Sequence, residues 1–155
     1  MKDNYRKNCY KKILKAIAVY DLAIKSPTQF APKLSAKLKN KIFIKREDLQ
    51  PVFSFKLRGA YNKISKISKP KHIVAASAGN HAQGVAMTCK KLKIKSSIVM
   101  PSTTPSIKVN AVKKLGAKVI LFGDTYDEAY QYAIKYSQKN NYNFVHPYDD
   151  IDVIA

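Results

Sequence analysis

His72-Ile73-Val74-Ala75-Ala76 leads straight into Ser77-Ala78-Gly79-Asn80-His81-Ala82-Gln83-Gly84. The first five residues form a short apolar run, the signature of a buried strand. Residues 79–92 then place Ala82, Val85, Ala86 and Cys89 at spacings of three and four, the period of a helix face. The alternation continues downstream. Residues 97–100 read as a strand, and 105–115 as a helix opened by Pro105 and closed by Gly116. A strand at 118–122 follows, then a helix to 138 that Asp124 caps, with Tyr126, Ala129, Tyr130, Ala133 and Ile134 turned inward. Residues 142–145 make a last strand. Strands alternating with helices imply right-handed crossovers and a parallel sheet flanked by helices, an α/β fold in three layers. Ligands of such sheets sit at the carboxyl ends of the strands, where the 77–79 turn must lie. Its consecutive N–H groups, aided by the helix dipole, predict an anion site, for a phosphate or a carboxylate. The alternative is a plain strand-to-helix turn in which Gly79 only permits the backbone path. His81 is expected to make a structural hydrogen bond there rather than act as acid or base.

Upstream, residues 4–24 carry Ile13, Leu14, Ile17 and Ala18 on one helical face, until Ser26-Pro27-Thr28 breaks the pattern. Residues 33–38 suggest a short helix, 41–46 a strand, and Ser54 the cap of a helix over 55–66. Lys56 stands near the head of that helix, in Ser54-Phe55-Lys56-Leu57-Arg58-Gly59. Val52, Phe53, Phe55 and Leu57 surround it with water-excluding side chains. Burial disfavours an ammonium, so the pKa of Lys56 is expected to fall, and a partly neutral lysine is a nucleophile able to form a Schiff base. The alternative is a lysine that lays its stem on apolar surface and keeps its head in water. Glu47-Asp48 next to Lys45-Arg46 predicts local ion pairs.

The chain has 155 residues, 29 Lys and Arg against 10 Asp and Glu, and a net charge of +19. Only three of the basic residues are Arg, the side chain favoured for base and phosphate forks, and no aromatic residues interleave with the basic ones as in RNA- or DNA-binding modules. Specific nucleic-acid recognition is therefore not expected, while non-specific polyanion binding at low salt is. No apolar run approaches the roughly 20 residues of a membrane span. The first 15 residues are charged and hold no apolar signal core, and two Cys are too few for a disulfide framework. A reducing cytoplasm fits this composition. No metal-ligand spacing, carboxylate pair or Ser/His/Asp arrangement is present.

Taken together, Lys45-Arg46-Glu47-Asp48-Leu49-Gln50-Pro51, Ser54-Phe55-Lys56-Leu57-Arg58-Gly59-Ala60 and Ser77-Ala78-Gly79-Asn80-His81-Ala82-Gln83-Gly84 resemble the threonine dehydratase (threonine ammonia-lyase) family. These are pyridoxal-phosphate enzymes of the tryptophan-synthase-β type (fold type II), and the likeness is greatest to those of isoleucine biosynthesis. It continues through Val99-Met100-Pro101, Lys108-Val109-Asn110-Ala111, Leu115-Gly116-Ala117 and Asp127-Glu128-Ala129, covering nearly the whole chain. The resemblance implies that Lys56 holds pyridoxal 5'-phosphate as a Schiff base and serves as the catalytic base. It implies that Asn80 bonds the cofactor's ring hydroxyl, and that Ser77, Gly79 and His81 belong to the loop holding the substrate carboxylate. Ala78 stands where related racemases carry a second Ser, which speaks for elimination. The implied reaction is deamination of L-threonine to 2-oxobutanoate and ammonia, with L-serine as an alternative substrate and a homo-oligomeric complete enzyme.

The family also carries a glycine-rich phosphate loop. The five glycines here (Gly59, Gly79, Gly84, Gly116 and Gly123) include no adjacent pair and build no such loop. The implied fold is therefore incomplete, with residues 1–52 beginning the large domain and 53–155 forming the small one. The expectation is a truncated chain, inactive alone. It would be an N-terminal piece, half of a split enzyme completed by a C-terminal polypeptide, or a non-catalytic remnant with only non-specific polyanion binding.

Overall fold

The computed structural model describes residues 2–155, including their side chains except those of 2–6 and 17. Four strands form the parallel sheet anticipated from the alternation: β3 (Ile73–Ala76), β4 (Ser96–Met100), β5 (Lys118–Leu121) and β6 (Asn143–Phe144), in the order β5-β4-β3-β6. All three pairings are parallel, with Ile73 opposite Ser96 and Asn143, and Ile98 opposite Val119. Helices α3 (Lys56–Ile64), α4 (Asn80–Leu92) and α5 (Ser106–Lys114) lie on one face and α6 (Tyr126–Asn140) on the other.

The two central strands have no polar face because both of their faces are covered. Ile73, Ala75, Ile98 and Met100 point into one core with Ala60, Val85, Ala86 and Val112. Val74, Ala76 and Val99 point the other way, against Ala129 and Ala133 of α6. Both sets are buried, including Ser96 and Ser97 at the start of β4, so the central strands show no alternation of exposed and buried positions. Three layers around a parallel sheet is the expected architecture.

Several local readings change. Thr125, not Asp124, caps α6: its hydroxyl accepts from Glu128 N at 3.3 Å, and Glu128 Oε2 accepts from Thr125 N at 3.0 Å. Tyr126 stays largely exposed, while Tyr130 and Ile134 are half-buried. The N-terminal helix α1 (Lys2–Leu14) gives way to a 3-10 segment, Ala16–Asp21, which turns the apolar face. Ala16 and Val19 are then buried against Tyr61, whereas Ile13, Leu14 and Ala18 face solvent. Ile17, expected on the same face, has its side chain outside the described residues. A strand that the sequence did not reveal, β1 (Thr28–Phe30), pairs antiparallel with β2 (Phe43–Lys45) across α2 (Pro32–Leu38). This hairpin forms a sheet of its own and leaves Phe30, Phe43 and Ile44 exposed.

Close packing around α3 matters most for function. A methyl group at Gly84 of α4 would lie 3.1 Å from the Lys56 carbonyl oxygen and 3.3 Å from Leu57 Cα. One at Gly59 would lie 2.3 Å from the Val153 carbonyl oxygen, in the final short helix α7 (Ile151–Ile154). Gly59 has no room for a side chain, because backbone rather than a flexible tip occupies the space, and at Gly84 the backbone of α3 would have to give by a few tenths of an ångström. Gly59→Ala should lift α7 off α3 and cost about 1–3 kcal/mol, the usual penalty of overpacking. Urea unfolding of the variant measures this, and an unchanged midpoint would contradict the close approach.

Candidate active site

Lys56 is the first residue of α3, and its backbone N–H donates to Ser54 Oγ at 3.3 Å. Ser54 thus serves the start of this helix, although Phe55 occupies the formal cap position. The Lys56 ammonium donates to the carbonyl oxygen of Pro147 at 3.1 Å, and the side chain is half-buried. Among the described residues it pairs with no carboxylate. Its expected dry flanks are only half present. Val52 and Leu57 are buried, but Phe53 and Phe55 are 77% and 60% exposed. Phe53 adopts a left-handed backbone (φ 55°), which turns its ring outward.

A cavity of about 350 Å³ opens beside Lys56, lined also by Phe55, Arg58, His81, Tyr148 and Val153. His81 lies in the first turn of α4, 3% exposed, with Nε2 3.3 Å from the Val145 carbonyl. A carbonyl accepts only, so Nε2 carries the proton. Burial pushes the imidazole down to about 4; the Val145 carbonyl opposes this, and the charges of Lys56 and His146 add to it. His81 is therefore neutral at pH 7, and the expected structural hydrogen bond is present.

The turn before α4 sits at the carboxyl end of β3. Ser77 is half-buried, and its Oγ accepts from Gly79 N at 3.1 Å. This bond bends the chain into the helix, a Ser-type turn. Gly79 takes the cap position, and a methyl group added there would meet nothing within 4 Å. Neither packing nor a left-handed φ requires glycine here, so the residue leaves an open face at a helix N-terminus. Asn80 follows, exposed. The structure thus brings Lys56 and His81 into one cavity and puts Ser77, Gly79 and Asn80 on the turn leading to it. Sequence reasoning missed the Pro147 carbonyl and the lining by Tyr148 and Val153. The signal was available: residues 146–148 directly follow the last strand, at the same carboxyl edge.

Other reactive groups are muted. Burial pushes the Cys89 thiol up to about 12, and among the described residues no cluster of His, Cys, Asp or Glu could hold a metal ion. The groups present do fit an aldehyde cofactor: a half-buried primary amine without a counter-ion, an exposed amide, and an open turn of backbone N–H groups.

A parallel sheet with helices on both faces, a lysine heading one helix and an open small-residue turn heading the next, is the architecture of the fold-type-II pyridoxal-phosphate enzymes. The chain belongs to the pyridoxal-phosphate dependent enzyme family, whose profile matches residues 19–155. It is 54% identical over 140 residues to the chloroplastic biosynthetic threonine dehydratase of Arabidopsis thaliana, covering 88% of this chain and 24% of that protein. It is 51% identical over 149 residues to the biosynthetic L-threonine dehydratase of Pasteurella multocida, covering 94% of this chain and 29% of that one. The processed form of threonine deaminase isoform 2 from Solanum lycopersicum superposes with a TM-score of 0.89 at 47% identity, over 95% of this chain and 42% of that one. The chain spans about a quarter of the length of the curated relatives it matches.

Proposed function

We propose that this chain is the lysine-bearing portion of a biosynthetic threonine dehydratase, which deaminates L-threonine to 2-oxobutanoate and ammonia in isoleucine formation. The observation that carries the reading is the Lys56 amine sharing one cavity with His81 beside the open 77–80 turn. The 51–54% identity to the relatives named above, over about nine-tenths of this chain, supports the substrate. When bound, pyridoxal phosphate withdraws electron density from the substrate Cα. Lys56 would hold the cofactor through Nζ and would take the Cα proton with the same atom. The Pro147 carbonyl orients that amine. Asn80 would bond the cofactor's ring hydroxyl. Ser77, Gly79 and His81 set the turn whose N–H groups hold the substrate carboxylate, at the positive end of α4. His81, neutral and tied to Val145, moves no proton; it fixes the turn.

The domain boundary follows the same reading. Residues 53–155 make the small domain and 1–52 begin the large one; the separate β1–β2 sheet and its exposed Phe30, Phe43 and Ile44 support this. L-Serine is the alternative substrate, and the complete enzyme is a homo-oligomer. Among the described residues no helix is long and apolar enough to cross a membrane. A second reading, a non-catalytic remnant that binds polyanions, rests on the charge: no acidic residue occurs between Asp48 and Asp124.

The test is a chimera in which this chain replaces the matching segment of the Pasteurella multocida enzyme. It should release 2-oxobutanoate from L-threonine. A folded chimera without that activity, retained on heparin at low salt, would support the remnant instead.

A further inference from the structure

Arg58 lies two residues beyond Lys56 on α3, and both residues line the cavity. Arg58 grips Glu47 with a two-pronged contact: Nε donates to Oε2 at 2.8 Å and Nη2 to Oε1 at 2.9 Å. Glu47 is not a free surface acid. Ser26 Oγ donates to Oε1, and Gln50 Nε2 donates to Oε2 at 3.2 Å. Gln50 is itself 1% exposed and is bonded twice to the backbone of Ile24: its Nε2 donates to the Ile24 carbonyl at 2.9 Å and its Oε1 accepts from Ile24 N at 3.0 Å. Arg58 Nη2 also donates to the Ile24 carbonyl at 3.0 Å, and its guanidinium stacks 5.3 Å from the Tyr20 ring. Residues 20–50 thereby hold the first turn of α3 through Arg58, at the rim of the cavity that Lys56 enters.

Elsewhere the helix meets backbone directly: Gly84 against the Lys56 carbonyl and Gly59 against Val153. A helix end with packing on two sides and a charged fork on the third has little freedom to rotate. We infer that Glu47 is a positioning residue for Lys56, setting through Arg58 the angle at which the amine enters the cavity. This rests on the reading that Lys56 is the cofactor lysine. Glu47 stays ionised well into acid, because Arg58 bonded to both oxygens holds it down at about 2, against the effect of burial. The fork is therefore closed across the range in which an enzyme works. Fork contacts between Arg and carboxylate carry orientation as well as energy, which a lone Lys would not supply. Without the fork, the first turn of α3 can swing, and Lys56 becomes one exposed amine among many.

The measurement is selectivity of labelling. The whole protein is incubated with pyridoxal phosphate, trapped with borohydride and mapped by peptide mass spectrometry, with exposed Lys90 and Lys114 as internal references. In the parent protein Lys56 should label well ahead of both. In Glu47→Gln the ratio of Lys56 to the references should fall about tenfold, the effect of losing one charge-assisted contact. Glu47→Asp, which keeps the charge and retracts it by one methylene, should recover part of the ratio. A general loss of stability would instead raise labelling of all lysines together. If Glu47→Gln does not fold, Ser26→Ala loosens Glu47 without removing its charge, and a lowered ratio there carries the same meaning. A ratio unchanged in folded Glu47→Gln overturns the positioning role and leaves the proposed function standing. No preference for Lys56 in the parent protein overturns the proposed function, and this inference with it.

Discussion

Lys56→Ala should abolish borohydride-stable attachment of pyridoxal phosphate at the α3 peptide and lower threonine deamination by the chimera at least about 10³-fold. The size follows from the two duties assigned to one nitrogen. In the proposed reading the same Nζ anchors the cofactor and moves the Cα proton, so no neighbouring group retains half of the function. His81 cannot substitute, because its proton is committed to the Val145 carbonyl. Lys56→Arg should be equally inactive: a guanidinium keeps the charge and can still reach the Pro147 carbonyl, but does not act as a nucleophile near neutral pH. Both variants should fold. The side chain makes one hydrogen bond, to Pro147, and its removal should cost only about 1 kcal/mol in urea unfolding. Full activity in folded Lys56→Ala would end the assignment.

The sheet was legible in the sequence because both faces of β3 and β4 are covered. Uninterrupted apolar runs such as 73–76 then carry a clear signal, and the intervening period of three and four identifies the helices. The short β1 was not legible. Three residues after Ser26-Pro27, all exposed, have no periodicity to read, and their only partner is a strand fifteen positions on. The α1 face was misassigned because a 3-10 segment shifts the angular step after Leu14, exchanging Ile13 and Leu14 for Ala16 and Val19. At the site, only the 77–79 turn was placed at the carboxyl edge; Lys56 was singled out from its apolar neighbours, and the shielding expected of Phe53 and Phe55 is not met. Adjacent residues in sequence need not shield a side chain when one of them takes a left-handed turn. Glu47 was expected to pair locally. Arg46 does pair with Asp48 at 2.6 Å, but Glu47 reaches Arg58, eleven positions away. Such a partner is set by how the N-terminal segment crosses α3, which no local pattern encodes.

Acidification from pH 7 should weaken the fold well before its carboxylates titrate, through His81. Its imidazole is held at about 4 in the fold, against an ordinary value of 6.5. The folded state thus refuses a proton that the unfolded chain accepts. Below pH 6.5 the unfolded chain gains protonation free energy and the folded protein does not, so stability falls until the folded pKa is reached and then levels. A shift of this size corresponds to about 3 kcal/mol by pH 4 and about 2 kcal/mol by pH 5. His72 contributes a further fall in the same direction, since burial and the charges of Lys95 and Lys118 lower its pKa. Glu47 acts later and with opposite chemistry: held at about 2, it stabilises the fold above pH 4.5 and loses that contribution as pH drops from 4.5 toward 2. Urea midpoints measured from pH 7 to 4 should therefore decline first in the histidine range. His81→Gln keeps a donor for the Val145 carbonyl and cannot titrate, so the difference between parent and variant isolates the His81 contribution. The parent's stability relative to the variant should fall by about 3 kcal/mol from pH 7 to 4, and parallel curves for the two proteins would show that His81 is not the buried neutral imidazole on which the turn before α4 depends.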